Sequence, residues 1–199
     1  MNKISTIICF TFALLFGSAV ETESSNIKFV SSHESLWNTL KLKDHFALVR
    51  HALAPGYGDP KEFNLEECDT QRNLDDRGRH QSKKMGDLFR SNGISKAIIY
   101  SSQWCRCLET ARLLKLGEVV EVTSLNSFFQ RFDKKKTQTE KTLQWLRQEP
   151  LLFPTIIVTH QVNISAITDY FPDSGEIIFI QRESDSSFTV LGSVQTLNL

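Results

Sequence analysis

The fold of this chain is decided by the stretch Phe46-Ala47-Leu48-Val49-Arg50-His51, in which four apolar residues lead directly into two basic ones. A continuous apolar run of this length is typical of a β-strand that is buried on both faces of a sheet. The runs Ala97-Ile98-Ile99-Tyr100 and Thr155-Ile156-Ile157-Val158 have the same character. The sequence therefore predicts a sheet with buried, parallel strands at its centre.

Weaker strand patterns and several helical patterns fill the rest of the chain. Strands are expected at 119–122, 177–180 and 188–191, the last two as an antiparallel hairpin at the sheet edge. Helices are expected over Asp76–Ser91, Arg106–Leu114, Glu140–Arg147 and Asn163–Tyr170, and residues 52–72 read as a long loop. This alternation predicts an α/β fold, a three-layer α/β/α sandwich with a mostly parallel central sheet.

The N-terminal residues have the three-part layout of a secretory signal peptide. A short basic start at Lys3 is followed by an almost wholly apolar run, Ile4 to Phe16, and then by the small residues Gly17-Ser18-Ala19. The apolar run is too short for a permanent membrane span. We expect a signal peptide over 1–19 with cleavage near Ala19, and one exported domain, periplasmic or secreted, over 20–199. A buried N-terminal helix is the alternative.

Three cysteines follow the predicted signal peptide: Cys68, Cys105 and Cys107. Export would place them in an oxidising compartment, where disulfides persist. A link between Cys105 and Cys107 would close too small a ring, so Cys68 is expected to pair with one of the two. The sequence does not choose between these partners, and three unpaired thiols are the alternative. No spacing of Cys and His is typical of a zinc site, so no metal is expected.

The composition excludes several classes of protein. The 199 residues include 23 basic and 23 acidic side chains, so the formal net charge is zero. A dedicated nucleic-acid binder has a basic excess that this chain lacks, and we expect no nucleic-acid partner. With 40% hydrophobic and 23% charged residues, the chain is neither disordered nor a membrane channel.

Basic and polar residues follow each of the three central strands. Arg50 and His51 follow the first, Arg106 comes shortly after the second, and His160 follows the third. Because the carboxyl ends of parallel strands share one edge, where such folds bind ligands, we expect these four side chains to surround one anion. Arginines hold phosphate through forked hydrogen bonds, and an imidazole nitrogen can attack phosphorus. The pattern therefore predicts phosphoryl transfer through a phosphohistidine.

The chain also contains a second Arg-His dipeptide that serves as an internal comparison. Arg79-His80 lies within a polar helical stretch rather than at a strand end. We therefore expect it to be solvated surface.

Four segments, in order along the chain, carry a resemblance to a known family. Leu48-Val49-Arg50-His51-Ala52 resembles the defining motif of the histidine phosphatase (phosphoglycerate mutase-like) superfamily. The other three match the helix entry, the strand-to-helix segment and the second-histidine strand of that superfamily: Thr70-Gln71-Arg72-Asn73-Leu74 with Arg77-Gly78-Arg79-His80-Gln81, Ser101 to Ala111, and Val158-Thr159-His160. From the first to the last, they span residues 46 to about 170, most of the mature chain.

The resemblance implies a phosphoglycerate mutase-like fold and a role for each matching residue. His51 would be the phosphorylated nucleophile, and Arg50, Arg106 and His160 would complete the phosphate pocket with the backbone N–H of Gln161. Together with the predicted signal peptide and the basic residues at the strand ends, it implies an exported, metal-independent phosphatase without a cofactor, acting on a small phosphorylated substrate. Small exported members resemble enzymes that trim phosphate from the lipopolysaccharide core, which suggests a cell-envelope sugar phosphate. The alternatives are a phosphotransferase or mutase and a phospholigand-binding pseudo-phosphatase.

Two departures from the family leave the general acid unassigned. Many members carry a glutamate where this chain has Ser127, and another branch carries an aspartate where it has Gln161. We expect the acid in the long loop, where Gly58 and Pro60 would present Asp59 rigidly; the other candidates are Glu62, Glu66, Glu67 and Asp69. A solvated loop acid is the alternative for each, and a substrate with a good leaving group would need none.

Three phenylalanines lie close to Ser127 in the sequence. Phe128, Phe129 and Phe132 could line a pocket, and we expect them to pack in the core instead.

Overall fold

The computed structural model describes residues 33–199, so the predicted signal peptide and its cleavage site lie outside the described residues. The helices and strands follow one another as α1 (His33–Thr39), β1 (His45–Arg50), α2 (Asp76–Ser91), β2 (Ile98–Ser101), α3 (Cys105–Leu114), β3 (Val119–Glu121), α4 (Lys135–Gln148), β4 (Thr155–Thr159), α5 (Gln161–Thr168), β5 (Ile177–Arg182) and β6 (Phe188–Val194). Short 3-10 turns lie at Cys68–Thr70, Thr123–Leu125 and Phe132–Lys134.

The strands form one six-stranded sheet in the order β3-β2-β4-β1-β5-β6. The four strands from β3 to β1 are parallel neighbours. β5 runs antiparallel to β1, and β6 pairs antiparallel with β5 at the edge. The predicted parallel centre and edge hairpin are both confirmed.

Helices cover both faces of this sheet. Along β1, the side chains of Ala47 and Val49 enter one apolar cluster, together with apolar residues of α1, α2 and α3. Phe46 and Leu48 enter a second cluster with apolar residues of α4 and α5. Alternate side chains of one strand point to opposite faces, so an unbroken apolar run supplies both cores. The three-layer α/β/α sandwich is therefore confirmed.

The predicted helix boundaries hold for α2 and shift elsewhere. α2 spans Asp76–Ser91 as expected, with the Asp75 side chain accepting a hydrogen bond from Gly78 N at its start. α4 begins at Lys135, earlier than predicted, because its first turns are polar and exposed and so carry no apolar periodicity. α5 begins at Gln161, directly after β4. Across residues 33–199, no helix combines the length and apolarity that crossing a bilayer requires.

The start of α2 packs closely under the loop that follows β1. A Cβ atom on Gly78 would lie 2.0 Å from the carbonyl oxygen of Leu53, so only glycine fits there. One turn later, the buried Gln81 accepts a hydrogen bond from Leu53 N (2.9 Å). Its amide nitrogen donates to Ser174 O (2.7 Å) and to Thr196 Oγ1 (3.0 Å). Gln81 thus joins three segments of chain behind the end of β1.

Candidate active site

The carboxyl ends of the central strands bring the predicted site residues together. His51 N donates to Thr159 O at 2.9 Å, which places the residues after β1 and β4 side by side. The rings of His51 and His160 are 5.4 Å apart between centroids and inclined at 69°. Both side chains are buried. The predicted meeting of strand-end residues at one edge is therefore what the structure shows.

A cavity of about 310 Å³ opens at this edge of the sheet. Its basic lining residues, which we call the cationic floor, are Arg50, His51, Arg72, Arg106 and His160. Its apolar lining residues, which we call the apolar wall, are Leu53, Ala54, Pro55, Tyr57, Phe129 and Val162. Such a site can hold the phosphate group of a ligand against the first set and a less polar portion against the second.

The hydrogen bonds of His51 fix which ring nitrogen carries the proton. Nδ1 lies 2.9 Å from the carbonyl oxygen of Ala52. A carbonyl oxygen only accepts, so Nδ1 is the donor, and the lone pair of the neutral ring lies on Nε2. Burial, reinforced by the positive charge of Arg106, holds the pKa of His51 well below its ordinary value of 6.5. At neutral pH the ring therefore offers an unprotonated nitrogen to the cavity.

Arg106 lies in the first turn of α3 and contacts this nitrogen. Its Nε donates to His51 Nε2 at 3.2 Å, and its side chain is almost completely buried. Thr110, one turn later, donates to Arg106 O (2.7 Å) and accepts from Ala52 N (3.0 Å). The helix is thereby tied to the backbone beside the histidine, which explains why the matching segment needs a threonine at this spacing.

Asp59 is held as the ion-pair partner of Arg106. Its two carboxylate oxygens accept from Nη1 and Nη2 of Arg106 at 2.8 and 3.0 Å, and it also accepts from Arg72 N and Trp104 Nε1, both at 3.1 Å. Partial burial opposes ionisation, but the hydrogen bonds and charge of Arg106, together with the hydrogen bonds from Arg72 and Trp104, outweigh it and hold the pKa of Asp59 below its usual range. An ionised carboxylate has no proton to give, so these contacts do not fit the general acid predicted for Asp59.

The remaining acid candidates of the long loop lie away from the cavity. Their side chains are exposed: Glu62, Glu66, Glu67 and Asp69. Within the described part of the chain, the residues that line the cavity include no carboxylate.

Two further arginines complete the cationic floor, and one of them was not predicted. Arg50 ends β1 and donates from Nη1 to Pro172 O at 2.9 Å, while its Nε is buried without a hydrogen-bond partner. Burial lowers its pKa, yet a guanidinium stays charged at any pH of interest. Arg72 belongs to one of the segments that resemble the superfamily, but the sequence predicts no role for its side chain. It donates to Gly58 O (2.8 Å) and to Ala54 O, so it fixes the loop that borders the cavity.

His160 and Gln161 close the other side of the cationic floor. His160 Nε2 lies 2.9 Å from the Ser102 hydroxyl and 3.4 Å from the Cys107 sulfur. Burial, with the charge of Arg106 next, holds the pKa of His160 well below 6.5. Gln161 borders the cavity and opens α5, and the first backbone N–H groups of a helix lack partners within it. This helix start can therefore donate to an anion.

A disulfide fastens the long loop beside the site. Cys68 pairs with Cys105, the first residue of α3, which settles the choice that the sequence left open. Gln71 strengthens the same junction by accepting from Cys105 N at 3.0 Å. Cys107 is a free thiol on the buried side of α3, where desolvation raises its pKa to about 12.

The segment after the Thr123–Leu125 turn lines the cavity, and it includes Ser127, the residue at the position where many members of the superfamily carry a glutamate. Ser127 borders the cavity and accepts a hydrogen bond from Phe129 N at 3.1 Å. Phe128 is buried as expected, but the core packing predicted for its neighbours is wrong: Phe129 lines the cavity and Phe132 is 60% exposed. The segment is irregular, so no periodicity in the sequence indicated which ring faces inward.

No group of three or more His, Cys, Asp or Glu side chains within residues 33–199 is arranged to hold a metal ion. The charges available to an anion in this cavity are those of the arginines and of the amide dipoles.

Comparison with known structures supports the fold. The chain superposes on a phosphoserine phosphatase from Entamoeba histolytica with a TM-score of 0.55 and 14% identity, covering 78% of this chain and 99% of that one. A mycobacterial glucosyl-3-phosphoglycerate phosphatase gives a TM-score of 0.54 and 12% identity, covering 74% and 97%. At such identities the likeness shows the fold. No curated protein sequence shows significant similarity to this chain.

A sequence profile identifies the family. The profile of the histidine phosphatase superfamily (branch 1) matches residues 46–148, just over half of the 199 residues. The match includes β1 with Arg50 and His51, and α3 with Arg106. The structural relatives share the fold. The chain belongs to the histidine phosphatase superfamily, branch 1.

Proposed function

We propose that this protein is a phosphatase that transfers the phosphoryl group of a small substrate to His51 and then to water. The observation that carries the proposal is the state of His51, a neutral ring that borders the cavity and whose Nε2 accepts a hydrogen bond from Arg106 Nε. In the first step Nε2 exchanges this hydrogen bond for a bond to phosphorus, while the bond between phosphorus and the leaving group breaks and the leaving group departs with the electron pair. In the second, water attacks the phosphohistidine and releases phosphate and the ring nitrogen.

The arginines and the neutral hydrogen-bond donors around the cavity suit the charge that develops on the transferring group. Arg50, Arg106 and His160 border the same cavity as His51, and Gln161 adds the backbone of a helix start. Preorganised donors aimed at the phosphoryl oxygens stabilise the transition state more than the ground state. With these groups in place the reaction needs no metal ion, so we propose a metal-independent enzyme without a cofactor.

The contacts of Asp59 favour substrates that leave without help from a protein acid. Asp59 is ionised and held by Arg106, and Ser127 occupies the position at which many family members carry a glutamate. The leaving group of a sugar phosphate anhydride or of an ester of an acidic alcohol departs as a stable anion, and the nitrogen of a phosphoramidate takes a proton from water before it departs. We propose substrates of this reactivity.

A binding protein without turnover is the second candidate. The same feature favours it, because a pocket that holds phosphate and lacks a proton donor binds esters of ordinary alcohols without cleaving them. A phosphotransferase or mutase would keep His51 but pass the phosphoryl group to an acceptor other than water. Product analysis separates all three: free phosphate for the phosphatase, an isomer or a new ester for the transferase, and unchanged substrate for the binding protein.

Trapping the intermediate tests the mechanism directly. The full chain is mixed with an aryl phosphate in the presence of EDTA and quenched in alkali, where phosphohistidine survives. We expect free phosphate in the supernatant and one added phosphoryl group on the peptide that contains His51. Phosphate release that disappears with EDTA, or a phosphoryl group on another residue, would contradict the proposal.

We also propose that the protein is exported and works on a phosphorylated sugar of the cell envelope. The Cys68–Cys105 disulfide supports export, since such bonds persist in oxidising compartments. The charge of the cationic floor supports a phosphorylated substrate. Fractionation with N-terminal sequencing should find the protein outside the cytoplasm and starting near Val20. A screen of phosphorylated metabolites against the wild type and His51→Ala tests the substrate class.

A further inference from the structure

The apolar wall carries two aromatic rings that meet over the mouth of the cavity. Tyr57 comes from the long loop after β1, and Phe129 comes from the segment after the Thr123–Leu125 turn. Their centroids are 5.1 Å apart and their planes are inclined at 83°. Tyr57 is 83% exposed. Together with Pro55 and Phe129, this ring gives the cavity an apolar border on which the less polar part of a ligand can pack.

The tip of the loop around Tyr57 is held in place by the site itself. Arg72 donates to the carbonyl oxygens of Ala54 and Gly58, on either side of the tip. Asp59, directly after the tip, is fixed by its ion pair with Arg106. The residues that form the cationic floor thus also set the position of Tyr57.

The segment that carries Phe129 meets this tip from the opposite side. Gly58 has a φ of +67°, and a Cβ atom there would lie 2.8 Å from the side chain of Gln130. The positive φ favours glycine, and the Gln130 side chain packs against the space where a Cβ atom would stand. Each side of the cavity mouth therefore presents one aromatic ring at a defined place, and the two rings touch.

We propose that the apolar wall is the subsite for the leaving group, and that the preferred substrate places a ring there whose apolar face packs on Tyr57 and Phe129. The proposal rests on the proposed function, which places the phosphoryl group at the cationic floor. Ring faces attract ring edges and faces beyond the effect of the buried area alone. A short, flexible alcohol would leave both aromatic surfaces in contact with water.

Binding of two phosphonates to the full chain tests this subsite. Phenylphosphonate and methylphosphonate carry the same anionic head, and their P–C bond is not hydrolysed, so the measurement needs no turnover. Dissociation constants come from ligand titrations of thermal stability. We expect phenylphosphonate to bind about tenfold more tightly than methylphosphonate, the size expected for one stacked ring.

Variants separate a ring contact from a general loosening of the site. Tyr57→Ala and Phe129→Ala should each weaken phenylphosphonate binding several-fold and leave methylphosphonate binding unchanged, and Tyr57→Phe should restore the preference. Phe153→Ala is the matched control, because Phe153 is 64% exposed and precedes β4, at the opposite end of that strand from His160. It should behave as the wild type.

Three results would overturn the proposal. The first is that the wild type binds the two phosphonates with equal affinity. The second is that Tyr57→Ala weakens the binding of both phosphonates by the same factor, and the third is that Phe153→Ala reduces the preference for phenylphosphonate as much as Tyr57→Ala does. Failure of the proposed hydrolysis is a separate outcome, since it is measured by phosphate release and leaves the phosphonate ratio unaffected.

Discussion

The dipeptide Arg-His occurs twice in the described chain, and the two copies have opposite environments. Arg50-His51 follows a strand at the centre of the sheet, where His51 is 3% exposed and the ring lies against Arg106. Arg79-His80 lies in α2, where His80 is exposed. Arg79 forms ion pairs with Glu109 (2.7 Å) and Asp76 (3.3 Å) at the surface. The surface placement predicted for this second copy is confirmed.

The difference shows that position in the fold, rather than residue type, gives a side chain its chemistry. At the strand end, burial removes water, so the ring stays neutral and each remaining charge acts strongly on an anion. On the helix, water screens the same groups, and such exposed pairs contribute little. Matched substitutions in the two copies can therefore separate the site from the surface.

The largest effect is expected for the two histidines. His51→Ala should lower the rate of phosphate release by on the order of 10⁴-fold or more, as loss of a covalent nucleophile does in other hydrolases. His80→Ala should leave the rate within about twofold, the usual result for an exposed side chain away from special contacts. Steady-state release of phosphate from an aryl phosphate measures both. Similar rates for His51→Ala and the wild type would remove the mechanism.

Substitutions of the two arginines, Arg106 and Arg79, should differ in their effect on kcat by a smaller but still clear factor. Arg106→Lys keeps the charge, yet a single ammonium group cannot serve Asp59 with two nitrogens and His51 with a third. We expect kcat to fall by about 10²-fold, the loss typical of one missing electrostatic donor. Arg79→Lys is the control and should change kcat by less than about twofold. A wild-type rate in Arg106→Lys would show that a point charge is enough at this position.

Asp59→Asn should affect stability more than chemistry. The carboxylate accepts hydrogen bonds from Arg106, Arg72 and Trp104, and we expect the variant to lose about 1–3 kcal/mol of unfolding free energy at pH 7. Because the pKa of Asp59 is lowered on folding, its contribution is present above the unfolded value and is lost as the pH falls through the folded value. The two denaturation curves should therefore converge in strong acid.

Turnover by this variant tests the role of the carboxylate. If Asp59 positions Arg106, alkyl and aryl phosphates should lose similar factors of kcat. A loss confined to alkyl phosphates would identify Asp59 as the general acid after all.

The smallest expected effect is on the pH profile. Since burial and Arg106 hold the pKa of His51 well below 6.5, the nucleophile stays unprotonated as the pH falls from 7 to 5.5. We expect kcat/KM to fall by less than about twofold over this range, whereas an ordinary histidine would cost close to tenfold. An acid limb centred near 6.5 would show that the ring is more exposed to water than its burial implies.

The same two buried imidazoles set the direction of a stability change with pH. Both His51 and His160 have lowered pKa values, so below 6.5 the unfolded chain binds protons that the folded chain excludes. The free energy of unfolding should therefore decrease as the pH falls from 7 to 5. Urea titrations at several pH values measure this, and a flat profile would contradict the burial of the rings.

What the sequence predicted correctly are the features fixed by local pattern. The unbroken apolar run before Arg50 specifies a central strand, and in a parallel sheet the residues after such strands must share one edge. That geometry placed His51, Arg106 and His160 together. The pairing of β5 with β6 also follows from pattern, because two apolar runs are joined by a short polar turn.

The features that the sequence did not predict correctly depend on contacts between loops that are distant along the chain. The sequence predicted Asp59 as the general acid because it does not show that both carboxylate oxygens accept hydrogen bonds from Arg106. Arg72 had no predicted role for the same reason, since its partners are carbonyl oxygens of the loop before it. Phe129 faces the cavity from an irregular segment in which no period marks an inner side. Each of these depends on three-dimensional placement alone.

Gln81, which follows His80 in α2, links the segment after β6 to the backbone beside His51. Thr196 is buried, accepts from the Gln81 amide and donates to Gly175 O, while the other end of that amide receives Leu53 N, two residues from His51. Shortening the chain at Val194, or fusing a bulky purification tag there, would release this amide and loosen the backbone behind the imidazole. We therefore expect such preparations to release phosphate more slowly than the full chain, because Leu53 lies two residues from His51.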